Sequence, residues 1–355
     1  MKIKQVTYSC AAAVIALAAC EKLQTDAGGK ILCTVNVAST RGVPVTTASI
    51  KTTGFVMDAY ASGAYHDNET DTDYSAGKYF SKSVTYASSA WSISDSPKWI
   101  NGVGINFFCH APQEPAGSLA ITKSDEDTSD EMTFNYTAPV PATNANTEDL
   151  VFAYKSQTVE YESDGSLKSG SESVDLTFYH ALSQIRFCLS TDDGTFPSDM
   201  KLISIVLKGA KQTDGTYPGM IASGSCVYKG STNIFTWTTG TEMSNYTQTF
   251  GPAVFNSGTP SGWVLGSYVK DSNTYNLYTC TGNVLFIIPQ DHDNCAVDIT
   301  MQKGTADSFT VTAKLPDTDP WEAGKYYSYK IKASKNLSLS LMASDWISGS
   351  EDLSF

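Results

Sequence analysis

Three observations predict an all-β chain of two β-sandwich domains behind a short leader. Val, Ile, Thr, Tyr and Phe recur in short alternating runs, and beyond residue 20 no window carries apolar residues at a helical spacing. Clusters of Asp, Gly, Ser and Pro punctuate these runs at the intervals usual for sandwiches. At 355 residues the chain exceeds what one hydrophobic core usually serves, so two domains are expected.

The first element is not a strand. Lys2 and Lys4 precede an apolar run from Ala11 to Ala19, which ends in Leu17-Ala18-Ala19-Cys20. About ten apolar residues are too few to cross a bilayer, which takes roughly 20. A basic start, an apolar centre and a small pair before Cys instead make a lipoprotein signal peptide over residues 1–19. Cleavage ahead of Cys20 would leave its thiol and its amino group acylated, and several acyl chains anchor firmly where one does not. Residues 20–29 read as a tether to the outer membrane. The formal charge is −13 and becomes more negative once Lys2 and Lys4 are lost. That balance excludes nucleic acid as a partner and removes any second, electrostatic hold on an anionic surface.

The N-terminal sandwich is placed at 30–168. Its first strand, Lys30 to Ala38, alternates Ile31, Cys33, Val35 and Val37 with Leu32, Thr34, Asn36 and Ala38, and it ends in Ser39-Thr40-Arg41-Gly42. Further strands are expected from Ile50 to Tyr60, Lys78 to Tyr86, Val103 to His110, Glu131 to Tyr136 and Leu150 to Tyr154. The polar run Ser163 to Ser173 is the most linker-like interior segment and marks the boundary. The C-terminal sandwich follows at 172–355, opening with Val174 to Phe178 and Gln184 to Leu189 and closing with Tyr326 to Ile331 and Leu337 to Met342. No repeat of 20 to 50 residues suggests a solenoid or propeller.

Residues that carry chemistry elsewhere are not assembled here. The four histidines stand far apart, G-x-S-x-G and C-x-x-C are absent, and neither catalysis nor a cofactor is expected. His180 reads as a hydrogen-bonded structural histidine and Asp291-His292-Asp293 as a solvated turn. Asp67, Glu69, Asp71 and Asp73 alternate as a calcium loop does, yet they lack the glycine and the bidentate glutamate of an EF-hand, so an acidic loop is the ordinary reading. Of the cysteines beyond Cys20, Cys33, Cys109 and Cys188 lie in apolar strands and read as buried thiols, while Cys280 and Cys295 bracket a strand and are candidates for a bridge.

Arginine is the sharper signal, because only Arg41 and Arg186 occur among 24 basic side chains. Arg186 sits inside the apolar strand Gln184 to Leu189. Arg41 lies in a loop, which leaves Arg41-Gly42 as the bond an arginine-specific protease would find.

In order along the chain, these features resemble the fimbrillin family of type V pilins and related surface lipoproteins of Bacteroidales. The resemblance rests on the lipobox at Cys20, the strand closing in Thr40-Arg41, Asp149-Leu150-Val151-Phe152-Ala153, and Val174-x-Leu176-x-Phe178-x-His180-Ala181-Leu182-Ser183-Gln184-Ile185. It continues through Ile287-Ile288-Pro289-Gln290, Trp321-x-Ala323-Gly324-Lys325-x-Tyr327-x-Tyr329 and a last strand running into Asp345-Trp346. It implies two transthyretin-like sandwiches and a lipid-anchored precursor cut by a trypsin-like or Arg-specific protease. Other pilin subunits then add a β-strand to the groove left by the first strand. By resemblance, Ile31, Cys33, Val35 and Val37 belong to the displaced strand, Arg41 and Gly42 flank the processed bond, and the cell surface or fimbrium is the destination. The tail Ile347 to Phe355, with Gly349, Glu351 and Asp352, makes a poor donor strand and points to a tip or accessory subunit that adheres to a host or bacterial surface ligand. The alternative is a surface lipoprotein that never polymerises and binds host or dietary glycans on a platform drawn from Trp91, Trp99, Trp237 and Trp263.

Overall fold

The structure is a computed structural model that describes residues 23–24, 29–38, 46–67, 72–190, 200–254, 263–270, 273–280, 284–316, 319–333 and 339–343. Cys20, Arg41, Gly42, Glu69, Asp71 and the tail after residue 343 lie outside these residues.

The chain is nearly all β, as its composition predicts. Seven strands form the largest sheet, in the order Leu32–Val37, Ser173–His180, Val151–Thr158, Gly104–Ala111, Phe55–Ala61, Gly77–Ala87, Ala90–Ile93. A four-stranded sheet runs Ile234–Thr239, Ser223–Lys229, Glu131–Thr137, Ser118–Ile121. Strands Met200–Lys208, Tyr246–Val254, Ala296–Lys303 and Ser308–Lys314 dominate a third sheet. A fourth is centred on Ser183–Ser190, which lies between Asn273–Cys280 and Tyr326–Ala333.

Two local features depart from the sequence reading, and the four-stranded sheet pairs Glu131–Thr137 with Ser223–Lys229 across the boundary expected at 168–172. The stretch from Ile50 to Tyr60 is not one strand, because a helix occupies Thr47–Thr53 and the strand begins only at Phe55. The cause is local: Thr46 Oγ1 accepts from Ser49 N at 3.1 Å while Ser49 Oγ accepts from Thr46 N at 2.7 Å, a reciprocal cap that starts the helix. Gly54 stops it at φ 68°, and a Cβ there would meet the Val84 carbonyl oxygen at 2.6 Å. Gly54→Ala is therefore expected to cost about 1–2 kcal/mol, combining left-handed backbone strain with that clash, and a lowered urea midpoint would show it. The second departure concerns Ser173–His180. It joins the N-terminal sheet between Leu32–Val37 and Val151–Thr158, and the polar run before it folds back as a short ribbon of Glu160–Tyr161 against Leu167–Ser169.

Two cores result, one on each face of the seven-stranded sheet. On Val151–Thr158, Val151 and Ala153 enter a core with Phe55, Met57, Phe107, Val174, Leu176 and Phe178. Phe152 points the other way, into a core shared with Phe134, Tyr228, Ile205 and Trp321. The period-two alternation of a strand puts neighbours on opposite faces, and here both faces are dry.

Candidate functional site

The segment 29–38 forms one edge of the seven-stranded sheet, and its own sequence explains how it sits. Ile31, Cys33 and Val35 are 3%, 9% and 7% exposed, whereas Leu32 between them is 50% exposed. Val37 packs half-buried on the same core. The strand runs parallel to Ser173–His180, with Cys33 opposite Val174, Val35 opposite Leu176 and Val37 opposite Phe178. Each inward residue therefore lies beside an inward residue of the neighbour, and Val174, Leu176 and Phe178 are fully buried beneath it.

Backbone bonds hold the segment at both ends and on both sides. On the sheet side, Leu32 N donates to Glu172 O at 3.0 Å and Ala38 N to Phe178 O at 2.8 Å. Across from it, Ile31 N donates to Pro97 O at 2.9 Å, Trp99 N donates to Gly29 O at 3.0 Å, and Lys30 bridges antiparallel to Lys98. The segment thus closes the N-terminal core as a seam between residues 97–99 and the Ser173–His180 strand. Cys33 is not joined in a disulfide, and burial pushes its thiol up to about 12. Among the described residues no disulfide ties this segment to the core beside it.

At the C-terminal end of the seam stands a buried polar pair. His180 and Asp149 are 5% and 4% exposed. The His180 Nδ1 lies 2.6 Å from Asp149 Oδ2, and Nε2 lies 3.2 Å from the Ala38 carbonyl oxygen. Burial pulls the imidazole pKa down, but the hydrogen bond and charge of Asp149 and the Ala38 carbonyl together outweigh it and leave the ring above its ordinary value. His180 is structural and hydrogen-bonded, as its sequence setting suggests. Its partners 31 and 142 residues away in the chain were not legible. The signal available was the alternation itself, since His180 falls in step with Val174, Leu176 and Phe178 on the inward face.

The motifs downstream converge beside this pair. Gln184 N donates to Lys325 O at 2.9 Å, Gly324 N to Leu182 O at 3.0 Å, and Ser183 Oγ to Glu322 O at 2.9 Å. Trp321 is buried, donates Nε1 to Tyr329 OH at 2.9 Å and receives the stacked ring of His292 at 4.6 Å. His292 is fully buried, so only Asp291 and Asp293 form the solvated turn expected of that triplet.

Other candidate residues fall as follows. Arg186 is half-buried on an interior strand, donates Nε to Ser328 Oγ and lies 4.9 Å above the Tyr326 ring, so a protease cannot reach its peptide bond without unfolding the sheet. Asp73 pairs with His66 Nδ1 at 2.9 Å across the hairpin that joins Tyr65–Asp67 to Thr72–Tyr74. Among the described residues no cluster of three or more His, Cys, Asp or Glu side chains could hold a metal ion. Cys295 is buried, and the side chain of its candidate bridging partner Cys280 lies outside the described residues. Trp99 is fully buried with Nε1 donating to Glu172 O at 3.1 Å, which removes it from any glycan platform. Trp91 packs edge-on against Phe55 and Tyr86. Trp237 is half-buried beside Phe134, its Nε1 donating to Ala181 O at 2.9 Å, and it lines a shallow groove with Phe235, Asp291 and Glu322. The side chain of Trp263 lies outside the described residues.

No curated protein matches the chain. Among solved structures it is similar to a fimbrial protein from Bacteroides vulgatus, at 15% identity and a TM-score of 0.49 over 88% of this chain and 98% of that one. It is also similar to the fimbrial anchor protein Mfa2 from Porphyromonas gingivalis, at 9% identity and a TM-score of 0.31 over 88% of this chain and 96% of that one. The family model described as Fimbrillin-like matches residues 40–346. That span takes in most of the chain, including the Asp149–His180 pair and the junction around Trp321, and the chain therefore belongs to the Fimbrillin-like family.

Proposed function

We propose that this chain is a structural subunit or tip adhesin of a surface pilus, exported as a lipoprotein acylated at Cys20, processed after Arg41 and assembled by strand exchange. The observation that carries the reading is the seam. A segment of ten residues closes the N-terminal core through alternating apolar side chains and backbone bonds, with no disulfide at Cys33. A strand held this way can be replaced by any extended segment with the same alternation, which is β-augmentation. Cutting at Arg41, just beyond the seam, would turn an intramolecular strand into a dissociable one. The protection of Arg186 supports single-site processing, and family membership supports the pilin or adhesin role.

The test treats the full chain, with Cys20 replaced to keep it unlipidated, with a trace of arginine-specific protease, followed by intact mass and size-exclusion chromatography. One cut after Arg41 is expected, then loss of the N-terminal peptide together with oligomers or uptake of a partner's strand. Resistance at Arg41, or a cut chain that keeps its first strand and stays monomeric, would replace this reading with a non-polymerising surface lipoprotein.

A further inference from the structure

We propose that His180, oriented by Asp149, is a pH-dependent latch that grips the backbone carbonyl at the end of whichever strand fills the groove, and so fixes its register and governs its release. The inference deepens the strand-exchange reading and rests on it for the second occupant, a strand from another copy or another subunit.

The geometry makes the argument. Both ring nitrogens of His180 face acceptors, Asp149 Oδ2 at 2.6 Å and the Ala38 carbonyl at 3.2 Å. A neutral imidazole carries one N–H and one lone pair, so it can serve only one of the two, and the other contact becomes lone pair against lone pair. The imidazolium donates to both. Ala38 is the last residue of the seam, and its own N–H is bonded to Phe178 O at 2.8 Å, so the end of the strand is held through both its amide and its carbonyl. Those contacts involve backbone alone. They require no particular side chain on the incoming strand, only that its carbonyl arrive at this level when apolar residues occupy the places of Ile31, Cys33 and Val35.

Groups around the ring set the sign. Asp149 supplies the carboxylate bonded to it, and Asp149 belongs to the body of the chain rather than to the strand that is exchanged. On the other side, Lys325 and Tyr326 line the small cavity that His180 and Asp149 also border, with Lys325 ion-paired to Glu322. The His180 pKa lies above the ordinary 6.5 in the docked state. The grip is thus complete below about pH 6.5 and lost as pH rises through the docked value, because deprotonation removes the donor aimed at Ala38.

Amide hydrogen exchange of the full, uncut chain, corrected for intrinsic rates and read by mass spectrometry over pH 6 to 9, tests the latch without any cleavage. Protection of residues 31–38 relative to 104–111 is expected to fall by about tenfold as the ring deprotonates, the worth of one charge-assisted hydrogen bond. His180→Gln should give the weaker protection at every pH, and Asp149→Asn, which removes the supporting charge, should move the transition to lower pH. Wild-type protection that ignores pH, or an Asp149→Asn curve that superimposes on wild type, would overturn the latch. Exchange of the cut chain with a labelled peptide of residues 29–38 separates the two readings. Exchange at one rate across pH 6 to 9 would leave strand exchange standing and sink the latch. Failure of any exchange, beside a pH-dependent uncut chain, would do the reverse.

Discussion

A chain that begins at Gly42 is expected to melt far below the full chain and to be rescued by a synthetic peptide of residues 29–38. Docking the seam buries Ile31 and Val35 to 3% and 7% exposure, each contributing about 1.5–3 kcal/mol, with a smaller share from Cys33. Its loss also uncovers Val174, Leu176 and Phe178, which are fully buried in the intact chain. The sum rivals the roughly 5–15 kcal/mol that a folded domain possesses. Rescue follows from mass action: a peptide that binds only the folded chain adds about 2.7 kcal/mol at a hundredfold excess over its Kd. The same peptide carrying Val35→Asp should fail, because its carboxylate would enter an apolar core without a partner. Differential scanning fluorimetry with and without peptide reads all three. An unchanged melting point after the deletion, or equal rescue by the Val35→Asp peptide, would show that the seam does not hold the core closed.

How much of this was legible in the sequence varies with the range of the interaction. Period-two alternation placed Ile31, Cys33 and Val35 on one face, and all three are buried as that pattern requires. Strand positions such as Glu131–Thr137 and Gly104–Ala111 came within a residue or so of the predicted runs for the same reason. The helix at Thr47–Thr53 was missed although its Thr46-x-x-Ser49 cap is local, because seven residues are too short to display a helical period. Partners were not legible at all. Nothing in Ser173–His180 tells that it pairs with Leu32–Val37, some 140 residues earlier, rather than with the strands that follow it, since alternation specifies a face and not a neighbour. For the same reason Asp149 and His180 each appeared inside a recognisable segment while the bond between them, and its reach to Ala38, appeared only in three dimensions.

Replacement of Phe152 by alanine is expected to cost about 3–5 kcal/mol and yet leave the groove's selectivity for its strand intact, a dissociation that follows from the two faces of one strand. Phe152 is fully buried, stacked on Phe134 at 4.4 Å between centroids and flanked by Tyr228 and Phe235 at 5.8 and 5.9 Å. These rings come from both sides of the interface between the seven-stranded and four-stranded sheets, so truncation opens a cavity where the two sheets meet. Its neighbours Val151 and Ala153 face the opposite core, the one the seam closes. Phe134→Ala should destabilise by a similar amount, and the double variant by less than the sum, with a coupling of about 0.5–1.5 kcal/mol for the stacked pair. Urea unfolding of the four chains measures that cycle, while rescue of each Gly42-start variant by the 29–38 peptide and by its Val35→Asp form reads the groove. Strict additivity would mean that the sheets are held together elsewhere. Loss of discrimination between the two peptides in Phe152→Ala would mean that the faces are not independent, and that strand capture at the edge depends on the packing between sheets as much as on the groove itself.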